Sequence, residues 1–254
     1  MTRTPPVLPP DLENGLKRLK LSAIRRQAAD VLLTAKTQRW APEETLRVLV
    51  ELEVAARDES NMRNRMAAAR FPVTKTMAEF NLAESSIPPA SHDYLTTLDW
   101  IGHAANVCLV GPAGTGKTHY LVALGRAAVE AGHRVRYFTA IDLVEHLYRA
   151  VADNTVGRAI ETVCRNELII IDEIGFAPLD HTGCQMLFRL IAAAYERRSV
   201  AIASHSPFEN WGTFLPDEPT AVSLLDRLCH HAHIITTSGR SYRLTHRTTR
   251  KEHA

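Results

Sequence analysis

The sequence predicts an α/β protein built on a parallel five-stranded sheet, preceded by a small all-helical segment. Three observations carry that expectation. Residues 111–118 read Gly-Pro-Ala-Gly-Thr-Gly-Lys-Thr, between an apolar run and a helical pattern. From residue 106 onward, short apolar runs alternate with helical periodicity. Residues 11–70 carry helical spacing and no strand pattern.

Taken in order, residues 1–10 are proline-rich and predict an unstructured arm. Leu12, Leu16, Leu19 and Ile24, then Ala28, Val31, Leu32 and Ala35, fall near helical spacing. Pro42-Glu43-Glu44 resembles a helix first turn, and Leu46, Leu49, Val50, Glu53 and Val54 continue one face to Arg57. Phe71-Pro72 ends that helix, because the residue before a proline is pushed out of the helical region. Residues 71–105 predict a connector with turn clusters at Ser85–Pro89 and Ser91–Asp93.

Strands are then expected at Asn106–Val110, Arg134–Phe138, Leu168–Ile171, Val200–Ala203 and His233–Thr236. Helices are expected at His119–Ala127, Ile141–Ala152, Thr182–Arg197 and Ala221–Cys229. The unbroken aliphatics of Leu168–Ile171 suit a parallel strand buried on both faces. The expected division is 1–70 helical, 71–105 connector and 106–254 core, with ligand at the carboxyl ends of the strands.

Composition bounds the function. With 45% hydrophobic and 23% charged residues, the chain can bury a core like that of an ordinary water-soluble domain. Cys108, Cys164, Cys184 and Cys229 form no C-x-x-C pair, which argues against a zinc ribbon or a disulfide framework and fits a reducing cytoplasm. Neither a secretory h-region nor an 18-residue apolar run is visible, so no membrane partner is expected. Residues 1–75 hold 14 Lys and Arg against 9 Asp and Glu, a balance of +5 in a chain whose total is +2. Arg240, Arg243, Arg247, Arg250 and Lys251 make the tail basic again. Such ends suit an anionic polymer or, equally, solvated helix faces.

The glycine-rich run carries the chemistry. Gly111, Gly114 and Gly116 permit positive φ and close approach of the main chain to phosphate; Pro112, Ala113 and Thr115 complete the loop. Lys117 would reach the β- and γ-phosphates, and the Thr118 hydroxyl would bind Mg²⁺. His119 closes the expected ATP-binding stretch at the helix start. Asp172 and Glu173 follow the third strand; Asp172 would hold Mg²⁺, directly or through water, and Glu173 would polarise the attacking water. His205, after the fourth strand, is a candidate to touch the γ-phosphate or that water. Arg227 could reach a neighbour's nucleotide, or simply pair with Asp226 on a helix surface.

Joined together, these segments resemble the IstB-type ATPases of bacterial insertion sequences, in the AAA+ clade that also holds DnaC-like helicase loaders. The resemblance covers nearly the whole chain. It rests on Ala69-Arg70-Phe71-Pro72 with Lys75-Thr76 and Phe80, on Pro207-Phe208-Glu209-Asn210-Trp211, on residues 224–234 (LLDRLCHHAHI), and on Ser241-Tyr242-Arg243-Leu244. It implies an AAA+ core, a Walker B pair at Asp172 and Glu173, and an arginine finger at Arg227. Where the family has Asn after the sensor strand, this chain has His205, an imidazole of different reach and charge. His230, His231 and His233 could suggest a metal site; as a family run with no partner cysteines nearby, they imply packing or a subunit contact instead.

The function so implied is help in transposition. Such proteins bind duplex DNA with little sequence preference and multimerise with ATP as a ring, helix or filament. They deform the DNA and recruit the partner transposase, and hydrolysis resets them. A bacterial cytoplasmic, nucleoid-associated location follows, and the N-terminal helices are expected to mediate subunit or partner contacts. Arg149 and Arg158, flanking the helix after the second strand, are the candidate DNA contacts. The rival readings are a DnaC-type replicative helicase loader, a P-loop small-molecule kinase and, given His205, a non-hydrolysing binding module.

Overall fold

The structure, a computed structural model, describes residues 6–239, 241 and 242. Half of the expected arm (residues 1–5), the tail residues Arg240, Arg243, Arg247, Arg250 and Lys251, and Leu244 lie outside the described residues. Two compact units are present, Met1–Asn64 and Arg65–Ala254.

The first unit contains α1 (Pro10–Arg18), α2 (Ser22–Gln38) and most of α3 (Pro42–Ala69). Pro10 opens α1 where its missing N–H costs nothing, and Asp11 with Glu13 at one end and Lys17 with Arg18 at the other complement the helix dipole. No side chain of its own caps α2. Instead Glu53 of α3, only 5% exposed, accepts from Ala23 N at 2.8 Å and Ile24 N at 3.2 Å. Arg57 Nε donates to the same carboxylate at 3.0 Å. Much of the face expected to be core is in fact exposed: Leu12, Leu19, Leu46, Val50 and Val54 all stand in solvent, while the buried positions of α2 are Ala23, Ala28 and Ala35.

In the second unit a 3₁₀ turn (Leu82–Glu84) precedes α4 (Pro89–Thr96) and α5 (Asp99–Gly102). Then come β1 (Asn106–Val110), α6 (Lys117–Glu130), β2 (Val135–Thr139), α7 (Ala140–Ala152), α8 (Val156–Val163) and β3 (Leu168–Ile174). The chain continues through α9 (His181–Ala194), β4 (Ser199–Ser204), a 3₁₀ turn (Phe208–Thr213), α10 (Glu218–Cys229) and β5 (Ala232–Thr236). All five strands are parallel, in the order β2-β3-β4-β1-β5.

Period-two alternation explains the apolar runs. Cys108, Val110, Ile169, Ile171, Val200 and Ile202 enter one core with residues of α7–α10. Val107, Leu109, Leu168, Ile170, Ala201 and Ala203 enter the other, against α4–α6. Both faces are covered, so no position on these strands could be polar without a partner.

Four local expectations are corrected. Ser91–Asp93 is not a turn but lies inside α4, which Pro89 opens at its first position. Asp172 and Glu173 lie within β3 rather than after it, because a register irregularity between Ile171 and Ile174 lets pairing with β4 resume at Ser204. Arg149 sits on the last turn of α7, and Arg158 belongs to the separate helix α8, so the two do not flank one helix. Asn154 in the left-handed region (φ 52°) ends α7, with Thr155 N donating back to Ala150 O at 2.8 Å. Helix α9 stops at Ala194, before Glu196 (φ 54°) turns the chain toward β4.

Candidate functional site

The ends of β1, β3 and β4 converge. Gly111 N donates to Ser204 O at 3.1 Å, Val110 is in register with Ser204, and Ser204 is in register with Ile174. Residues 111–118, Asp172-Glu173 and His205 therefore meet at the carboxyl edge of the sheet, where ligands bind in open α/β folds. Gly111, Gly114 and Gly116 have φ of 147°, 83° and 92°. A methyl group on Gly111 would collide with the Thr237 carbonyl, and one on Gly114 with the Ser241 hydroxyl.

Helix α6 starts at Lys117 with no side-chain cap, so its first N–H groups face the loop as anion donors. Lys117, 8% exposed, holds its ammonium against Gly111 O at 2.6 Å and Pro112 O at 2.7 Å. Thr115 Oγ1 lies 3.0 Å from Pro112 O and 2.8 Å from Thr237 Oγ1. Half-buried His119 has its Nε2 3.3 Å from Thr76 O, and its ring meets Phe80 edge-on at 5.2 Å. Ala113 and Pro112 are exposed, while Thr118 is half-buried.

Asp172 is 2% exposed; Tyr137 Oη donates to its Oδ2 at 2.9 Å, and Glu173 N to its Oδ1 at 2.8 Å. Burial first, then the Asp172 charge, raises the Tyr137 phenol well above its usual pKa, so it stays a donor. Glu173, at φ 60°, is the one exposed residue of β3: the irregularity swings its carboxylate out of the sheet. His205 Nδ1 is buried with no hydrogen-bond partner among the described residues, its ring set against Phe176 at 5.2 Å. An uncapped helix start, a buried lysine and an orphaned imidazole nitrogen fit a triphosphate, and an oxygen donor set of Thr118 and Asp172 fits Mg²⁺.

The family described as IstB-like ATP-binding protein matches residues 14–250. The chain belongs to that family. Among its relatives, a protein of insertion sequence IS21 from Pseudomonas aeruginosa, named for ATP binding, is 33% identical over 92% of this chain and 89% of its own. A protein of insertion sequence IS5376 from Geobacillus stearothermophilus, likewise named, is 30% identical over 92% and 94%. In fold, this IstB-like chain is similar to AMPPCP-bound DnaA from Aquifex aeolicus, with a TM-score of 0.55 at 18% identity over 68% of this chain and 53% of that one. The fold is that of an AAA+ P-loop core, preceded in sequence by an N-terminal helical segment.

Arg227 does not join the strand-end cluster. It lies in the last turn of α10, next to Leu228, whose carbonyl accepts from Asn106 at the opposite end of β1. Its guanidinium stacks 5.1 Å over Phe188 and donates to Ser223 O at 2.9 Å rather than to Asp226. Arg149 is exposed, 3.6 Å from Glu145, and Arg158 is exposed on α8. The exposed His146 ring is held below its usual pKa by partial desolvation and then by the charges of Arg136, Arg149 and Arg70, so these three arginines lie near α7.

Sequence reasoning missed Tyr137 and the cover over the loop. Thr237, Ser241 and Tyr242 lie against it, with Tyr242 N donating to Gly114 O at 3.0 Å. Tyr137 is in register with Ile170, two residues before Asp172, so recognising the β2–β3 pairing could have found it.

No described helix is long and apolar enough to cross a membrane.

Proposed function

We propose that this chain is the ATP-hydrolysing helper of an insertion sequence. It would assemble on duplex DNA with little sequence preference, deform it, and recruit the partner transposase. The observation that carries the catalytic half is the meeting of the uncapped α6 start and Lys117 with Asp172, Glu173 and His205 at adjoining strand ends. The names of the relatives, which place them in insertion sequences, support the other half.

Residues 111–119 would hold the triphosphate on main-chain N–H groups. Lys117 would exchange the Gly111 and Pro112 carbonyls for phosphate oxygens. Thr118 and Asp172 would hold Mg²⁺, which neutralises charge on the transferred phosphoryl group. Glu173, turned out of the strand, would accept the proton of the attacking water, and His205 Nδ1 would donate to the γ-phosphate or to that water. Arg227, at the wrong end of its own sheet, would serve the nucleotide of an adjoining copy in a homo-oligomer. Arg149 and Arg158, with Arg70 and Arg136, would contact DNA phosphates. The exposed row Leu46, Val50 and Val54, at i, i+4 and i+8, offers α3 a face for a subunit or the transposase.

The test is steady-state ATP turnover with and without duplex DNA of unrelated sequences. Turnover should rise with any duplex and fall about 100-fold or more in Glu173→Gln, which should still bind ATP. DNA-indifferent turnover would remove the DNA role, and an undiminished Glu173→Gln would remove the general base.

A further inference from the structure

Glu196, His230 and His231 come together at the amino ends of β4 and β5, the end of the sheet away from the phosphate loop. One ligand-capable atom of each lies within 4.8 Å of the others. His231 Nε2 is 3.6 Å from Glu196 Oε1, and the two imidazole rings are 4.0 Å apart. We propose that these three side chains form a Zn²⁺ site, with water as the fourth ligand.

The donor chemistry selects the ion. Two imidazoles and a carboxylate are a set that tetrahedral Zn²⁺ uses when one position stays open. Magnesium and calcium prefer all-oxygen shells, so the site is distinct in kind from that of Thr118 and Asp172. Ligands about 2.0–2.2 Å from a tetrahedral centre stand roughly 3.4 Å apart, so the side chains must close by about 1 Å. All three are exposed, so solvent leaves room for that movement.

Two further observations point the same way. Tyr195 Oη is 3.0 Å from His230 Nδ1. With Nδ1–H donating to that phenol, the lone pair of Nε2 is left for the metal, as the outer partner of a metal-bound histidine arranges. The backbone is also fixed in advance. Asn106, 7% exposed, donates N–H to His231 O at 2.8 Å and Nδ2 to Leu228 O at 2.9 Å, and its Oδ1 accepts from Val200 N at 2.9 Å. One buried residue thus ties the start of β4 to the turn that carries both histidines. Three nearby cations have their own acceptors: Arg198 donates to Cys164 O and Arg197 O, Arg197 to Ala193 O, and Arg227, whose charge acts on Tyr195, to Ser223 O. The histidine run is therefore split, since His233 packs on Tyr94 at 5.3 Å and takes no part.

Zn²⁺ would be titrated into the nucleotide-free full chain against a chromophoric chelator. One equivalent should bind. His231→Ala and Glu196→Gln should each weaken it at least tenfold, Tyr195→Phe about tenfold, and His233→Ala not at all. ATP affinity, set at the far end of the sheet, should be unchanged in each variant and reports correct folding. As a measure independent of variants, Zn²⁺ but not Mg²⁺ should raise the thermal midpoint of the parent chain. Absence of Zn²⁺ binding by the parent, an unmoved midpoint, or binding indifferent to both His231→Ala and Glu196→Gln overturns the proposal.

Discussion

Replacing Tyr137 by Phe removes one atom, the hydroxyl that donates to Asp172 Oδ2 at 2.9 Å. Both residues are buried, at 6% and 2% exposure, so water cannot simply replace the lost donor. A hydrogen bond to a charged acceptor contributes about 1.5–3 kcal/mol, and here most of that should be forfeited because the carboxylate stays behind under-satisfied. Urea unfolding followed by tryptophan fluorescence would measure it, since Trp100 and Trp211 are both fully buried in the second unit. The midpoint should fall with an unchanged slope. A second effect is separable from the first. With only the Glu173 N–H left to orient it, Asp172 should hold Mg²⁺ less well, and the Mg²⁺ concentration needed for half-maximal turnover should rise. A variant as stable as the parent, with the same Mg²⁺ requirement, would show that Tyr137 does not position Asp172.

Gly111→Ala should abolish nucleotide binding and cost stability, since φ of 147° and the Thr237 carbonyl both oppose a side chain; ATP-analogue binding by calorimetry checks it. Glu53→Gln should destabilise the first unit by about 1.5–3 kcal/mol at neutral pH, measured by urea unfolding of the full chain, because it removes a charged acceptor from Ala23 N, Ile24 N and Arg57. Burial raises the Glu53 pKa, but those bonds outweigh it and the net shift is downward. Its contribution is therefore complete above the ordinary glutamate pKa and lost as pH falls through the lowered folded value, so parent and variant should converge in stability only in acid. Convergence at neutral pH would contradict the cap.

Strands β1, β3 and β4 were legible because residues buried on both faces leave an apolar run, and residues 111–118 because loop chemistry permits few residue types. The details that aim the site were not. Glu173 leaves the sheet through an irregularity in β3 pairing, which depends on register with Ser204 and not on local composition. The cover by Thr237 and Ser241 joins residues over 120 positions apart. Helix α8 was missed because Val156, Ile160 and Val163 bury a single narrow stripe. In the first unit the apolar spacing correctly implied helices, but exposed Leu46, Val50 and Val54 show that periodicity alone does not say which face is covered.

Mixing two variants expected to be inactive tests the central claim, that the nucleotide at residues 111–119 is hydrolysed with an arginine from an adjoining copy. Lys117→Ala should lose the phosphates but keeps Arg227; Arg227→Ala should still bind ATP but lacks the arginine. Turnover of the mixture should exceed the sum of the two alone, because some sites pair an intact loop with an intact arginine. A mixture no more active than that sum, under conditions where the copies assemble, would contradict it.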